Sequence, residues 1–171
     1  MELKGSLTEQ NLLKAIQGES EAFLRYTIFG HEAEPKVLEE LYATTAKNER
    51  EHAEEFMELL GYVKTDEENL RICIMNETME NKIIYAEMAC IAREEGFEEI
   101  AKKFELVAAI EGTHRDNYEK ILRELETKTL FKKNQKQQWL CSNCGTIVEG
   151  LEAPLECPFC EHDQKYFTIK K

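Results

Sequence analysis

A glutamate and a histidine three residues apart occur twice in this chain, at Glu49-Arg50-Glu51-His52 and at Glu111-Gly112-Thr113-His114. This duplication restricts the fold more than any other feature. On a helix, positions three apart project from one face within one turn, so each pair can grip one metal ion. Each copy is preceded by another glutamate in a helical, apolar-periodic context. Glu19 lies thirty residues before Glu49, and Glu80 lies thirty-one before Glu111. The first four-fifths of the chain therefore reads as two similar helical hairpins, each offering one glutamate from its first helix and a Glu-x-x-His from its second. That is a di-metal constellation.

The apolar periodicity places the helices. Thr8 is the expected N-cap of helix one, whose stripe is Leu12, Leu13, Ile16, Phe23, Leu24 and Ile28, running to about residue 33. Pro35 ends or restarts it, and helix two carries Val37, Leu38, Leu41, Tyr42, Phe56, Leu59 and Leu60 up to Gly61. The stretch 61–69 is polar and suits a crossover along the bundle. Helix three is expected from about Leu70 to Glu95, and helix four from about Phe97 to Thr127. Two short turns and one crossover describe an all-α ferritin-like four-helix bundle over residues 1–127, with the ligands meeting at mid-height. Residues 128–138 are polar and basic and read as a linker. From Trp139 to the end the sequence is short-patterned, turn-rich and cysteine-bearing. So small a segment cannot bury a sufficient core, and a metal bound by Cys141, Cys144, Cys157 and Cys160 substitutes for one.

Composition sharpens the function classes. A formal net charge of -12 argues against nucleic acid or an anionic membrane as partner, since both demand a basic footprint. There is no apolar run of membrane-spanning length and no signal-peptide core, so the expected location is cytoplasmic. In such a compartment two Cys-x-x-Cys pairs point to metal rather than disulfides. Cys73 and Cys90 lack partners at ligand spacing and are expected as buried core thiols. His31 and His162 read as structural or exposed, and Tyr26, two turns from Glu19, reads equally as a core tyrosine or as a hydrogen-bond partner of a ligand carboxylate.

Single glutamates on helices are mostly solvated, but this set is different. Glu19 lies between Ile16 and Phe23 on the apolar stripe, where an unpaired carboxylate is costly and a metal compensates. The oxygen and nitrogen donors suit iron or manganese and equally admit zinc. The four thiolates suit a rubredoxin iron and a zinc ribbon alike.

With both Glu-x-x-His motifs and the terminal Cys-x-x-Cys-Gly and Cys-Pro-x-Cys knuckles in view, the chain resembles rubrerythrin, from Gly18-Glu19-Ser20 to its end. The resemblance implies a carboxylate-bridged di-iron centre in the bundle, a rubredoxin-like domain at 139–171 holding one iron, and reduction of hydrogen peroxide to water. It assigns Glu19, Glu49, His52, Glu80, Glu111 and His114 to the di-iron centre as metal ligands that carry the chemistry, with Glu49 and Glu111 bridging. Cys141, Cys144, Cys157 and Cys160 are assigned to the single iron. It implies an external electron donor, a reductase or a rubredoxin, and a homodimer or larger head-to-tail homo-oligomer. The family has a second glutamate one turn after the helix-three ligand, and counting from Glu80 puts Ile83 there; Glu77 and Glu87 would reach the metal only through a shifted helix or an inserted bulge. On that count His52 is a permanent ligand. The rival readings are a ferroxidase of bacterioferritin type, which uses the set without a seventh carboxylate, and a non-catalytic zinc-ribbon interaction protein.

Overall fold

Helix one starts where a side chain can satisfy its first free amides. Ser6, not Thr8, is the N-cap: its hydroxyl accepts from the Glu9 N–H at 3.1 Å, and α1 runs Leu7–Glu32. These positions come from a computed structural model that describes residues 2–170. Pro35 takes the N-cap position of α2, Lys36–Leu59, at φ -72, where its fixed ring torsion and missing N–H cost nothing. Gly61 at φ +67 closes α2: its N–H reaches Glu58 O at 2.8 Å, and that of Tyr62 reaches Met57 O at 3.0 Å. The two helices pack through small residues. Gly30 and Ala46 are buried, as is Ala53, and a Cβ on Gly30 would meet Tyr42 Cβ at 3.5 Å.

The chain divides after Thr65 into two units, and α1 and α2 make up the helical part of the first. The expected crossover at 61–69 is shorter than the sequence suggested, because α3 already starts at Asp66. Asp66, Glu67 and Glu68 crowd its first turn, where acidic side chains complement the helix dipole.

The second unit holds the expected helix three as three pieces: α3, Asp66–Met79; a π turn, Glu80–Ile84; and α4, Tyr85–Glu94. The π turn closes with the Tyr85 N–H donating to Glu80 O, five residues back. Its cause is visible in the residues that face the next helix. Glu77, Asn81, Tyr85 and Ala89 are buried or half-buried at successive spacings of four. Three turns of α-helix take up only ~10.8 residues, so one residue must be absorbed if the stripe is to stay on one face. Gly96 at φ +87 ends α4, and α5 follows over Glu98–Glu126. Ala89, Ala92 and Ala101 form the buried seam with Phe104, whose ring lies 6.0 Å from that of Tyr85.

The tail folds as a three-stranded antiparallel sheet in the order β2-β1-β3, with β1 Lys132–Cys141, β2 Ile147–Glu152 and β3 Phe167–Ile169. Residues 132–138, expected within the linker, are therefore strand. Their polar character fits, since β1 up to Gln138 is mostly exposed and carries a bulge between Lys132 and Gln137. The core is Trp139, Cys141, Ala153, Cys157 and Phe167, and the Trp139 indole N–H donates to Gly150 O at 3.1 Å. The ferritin-like helices followed by a small rubredoxin-like knuckle domain match the expected fold class. No helix among the described residues is long and apolar enough to cross a membrane.

Candidate metal centres

Three groups of converging donors emerge: Glu19 with Glu49 and His52, Glu77 with Glu111 and His114, and the four tail cysteines. In the first, His52 Nδ1 stands 3.0 Å from Glu49 Oε2 and 3.5 Å from Glu19 Oε2. Glu19 and Glu49 are half-buried on the facing sides of α1 and α2, as the apolar stripe around Glu19 required.

The second group repeats this geometry with one change of residue. His114 Nδ1 stands 2.7 Å from Glu111 Oε2 and 3.7 Å from Glu77 Oε2. Glu80, expected here from its spacing to Glu111, is not among the converging donors; Glu77 is. The π turn explains the difference. Glu77 sits with Cys73 and Ile74 on the half-buried face of α3, and the count back from Glu111 ran through a turn holding one extra residue. The signal was present as the run of four-residue spacings. Glu80 lies directly after α3 and close enough to Glu77 to act on its charge. The carboxylate one turn beyond the ligand is thus Glu80, and Ile83, 44% exposed, does not hold that place. The inference that His52 is a permanent ligand loses its premise.

Each helical group carries two carboxylates and an imidazole, and two carboxylates are the charge complement of one divalent ion. Glu77 shows that the complement is needed. Its Oε2 is buried with no hydrogen-bond partner. Burial, then the hydrogen bond and charge of Glu111, raise its pKa above the ordinary carboxylate value, with Glu80 adding and His114 opposing. A cation among these atoms would satisfy the orphaned oxygen and relieve the repulsion, so the donor set fits a metal.

In the tail, Cys141 Sγ lies 3.8 Å from Cys160 Sγ, and Cys144 Sγ lies 3.6 Å from Cys157 Sγ. A tetrahedron of thiolates at ~2.3 Å from one ion has edges of ~3.8 Å, so the four atoms are spaced for a metal and too far apart for disulfides. Two matched turns hold them. Gly145 N donates to Cys141 O at 2.8 Å with φ +80, and Glu161 N donates to Cys157 O at 2.9 Å with φ +58. Thr146, through its side chain and backbone, holds Cys144 in the thiolate form, down to about 6, while burial and then Cys144 push Cys160 up to about 11.

The other sequence candidates resolve plainly. Tyr26 stacks on Tyr42 at 6.5 Å between centroids. Cys73 is half-buried, but Cys90 is exposed, its Sγ 3.6 Å from Glu94 Oε1, and so is not a core thiol. His162 Nδ1 lies 2.9 Å from Cys160 O, and its ring packs edge-on against Tyr166 at 4.6 Å.

The sequence matches the family profile "Rubrerythrin" over residues 10–72 and 68–141, and "Rubrerythrin, rubredoxin-like domain" over 139–168. It is 36% identical to a rubrerythrin of Clostridium perfringens, the match covering 99% of this chain and 97% of that one. It is also 36% identical to a rubrerythrin of Nitratidesulfovibrio vulgaris over 98% and 96%. Among solved structures, partially reduced nigerythrin aligns at 23% identity and a TM-score of 0.38, covering 95% of this chain and 86% of that one.

Proposed function

This chain belongs to the rubrerythrin family of iron-dependent oxidoreductases, and from that premise we propose that it reduces hydrogen peroxide to water at a di-iron centre, drawing electrons through its tail iron. The family carries a di-iron site and an Fe(Cys)4 site, and the donors for both are present. Glu19, Glu49 and His52 would hold one ion, and Glu77, Glu111 and His114 the other. Cys141, Cys144, Cys157 and Cys160 would hold the third. Bound there, two ferrous ions would supply the electron pair that breaks the O–O bond, two protons being taken up as two waters form, and the tail iron would return single electrons received from an external reductase or rubredoxin.

The observation that carries the reading is Glu80 standing one turn beyond the donor Glu77. A ferroxidase of bacterioferritin type was favoured only by the want of a seventh ligand, and Glu80 is the further carboxylate that would fill that place. The residues' own work is to fix position and charge. The imidazoles are gripped by carboxylates of the same helix turn. The half-buried glutamates hold their charges toward the donor groups, and this acidic set would stabilise the ferric state of bound iron. A dedicated electron-entry domain argues in the same direction, since iron storage has no need of one.

The test is anaerobic reduction of the iron-loaded protein, followed by one equivalent of peroxide per di-iron pair. Oxidation of the pair within seconds, with two electrons taken per peroxide and the red ferric tail colour appearing afterwards as the tail returns one electron to the pair, is the expected result. Rapid oxidation by dioxygen but not by peroxide would favour the ferroxidase. A colourless tail that keeps zinc would leave only an interaction module.

A further inference from the structure

Asn81, inside the π turn, has its side chain fixed from both ends. Its Nδ2 donates to the Ala108 carbonyl of α5 at 2.6 Å, and Arg115 Nη1 donates to its Oδ1 at 3.2 Å. Gly112 leaves room for the amide: a Cβ there would lie 3.0 Å from Asn81 Nδ2 and 3.5 Å from its Cγ. These anchor points interleave with the metal donors. Asn81 directly follows Glu80 and comes four residues after Glu77; Ala108 and Gly112 flank Glu111; Arg115 directly follows His114.

A π turn is a local defect, and nothing in its backbone bonding fixes where along a helix it sits. If it moved to the N-terminal side of Glu77, that residue would turn by ~100° relative to Tyr85 and leave His114 and Glu111. We propose that Asn81, seated on Gly112 and tied to Ala108 and Arg115, is a positioning residue that pins the π turn behind Glu77 and so selects Glu77 as the metal donor opposite Glu111 and His114. Gly112, inside the second Glu-x-x-His motif, is then part of the same device, because a Cβ there would force the Asn81 amide to give by a few tenths of an ångström. The inference rests on the metal-centre reading above.

The experiment uses the full chain with its tail iron in place and the helical sites emptied, titrated anaerobically with Co(II) and followed by the metal's visible bands. The wild-type protein should take up two Co(II) per chain; uptake of none would overturn the metal-centre reading itself. Asn81→Ala should hold one ion as before and the other roughly 10–100-fold more weakly, with altered bands. Gly112→Ala should do the same by pushing the amide away, and it carries the test alone if Asn81→Ala fails to fold. The double variant should be no weaker than either single one, since both break one device. A purely structural Asn81 would lower the melting temperature of the metal-free protein and leave both Co(II) affinities and the bands unchanged. That outcome, or effects of the two substitutions that simply add, would overturn the proposal.

Discussion

Glu77 and Glu80 differ by one turn and should differ in kind. Glu77 Oε2 is buried without a partner beside Glu111 and His114, whereas Glu80 lies outside the converging atoms. Glu77→Ala should therefore weaken one helical ion by about 100-fold or more, while Glu80→Ala should leave ferrous binding of both ions intact and slow re-reduction after oxidation. Isothermal titration with Fe(II), beside stopped-flow spectra, separates them; equal losses of affinity would show that the two carboxylates share one role. The metal-free protein should also respond to pH through Glu77. Because its folded pKa is raised, the neutral carboxyl stabilises the fold below the ordinary carboxylate range, and that contribution is lost as pH rises through the folded value. Melting of metal-free wild type should thus fall more steeply with rising pH than that of Glu77→Gln, and the difference should vanish once metal is bound. Most donors were legible at this scale because a metal site is a spacing rule: both Glu-x-x-His pairs, Glu19 and the four cysteines fall where the sequence places them. Glu77 was missed because the rule assumes 3.6 residues per turn, and one turn here does not obey it.

At the scale of elements, the helices were readable from their apolar period and their breaks from Pro35, Gly61 and Gly96, while boundaries set by polar chemistry were not. Ser6 outcompeted Thr8 as a cap, and the acidic first turn of α3 looked like loop. Strand β1 hid in a polar stretch because an exposed antiparallel strand carries little apolar signal until it meets Trp139. The π turn makes the sharpest prediction. Deleting exposed Lys82 would bring Asn81, Tyr85, Ala89 and Ala92 to the spacing of an unbroken α-helix while keeping the seam with Ala101 and Phe104. The metal-free variant should melt within about 4 °C of wild type, a shift worth ~1 kcal/mol or so for a chain of this size. Its Co(II) bands should nonetheless change, since the path from Glu77 past Glu80 to the Asn81 anchor is rebuilt. A fall in melting temperature of more than about 10 °C would mean that the turn serves packing rather than the metal.

At the scale of the molecule, we predict that the tail serves a centre other than its own. Helix α5 continues fifteen residues past Glu111, ~22 Å at 1.5 Å per residue. The sheet then follows with no slack: Thr129 N donates to Glu124 O at 2.8 Å, Lys133 Nζ pairs with Glu124 at 2.8 Å, and β1 begins at Lys132. The cleft between sheet and helix, about 430 Å³, is lined on α5 by Lys120, Ile121 and Glu124, and so lies ~14–20 Å along the helix from Glu111. Fold-back of a free linker, the one way for a single chain to bring its tail iron to its own Glu111, is closed by the strand that occupies it. That geometry predicts a second copy to receive the electrons, and a stable pair would bury ~1,600 Å² or more. Light scattering should give at least twice the chain mass at micromolar concentration. Co-assembly of a chain carrying Glu111→Ala with one carrying Cys141→Ser should then restore the relay, because the intact tail of the first can reach the intact helical site of the second. A monomer that still passes electrons quickly from tail to di-iron centre, or a mixed assembly no faster than its two parents, would sink this reading.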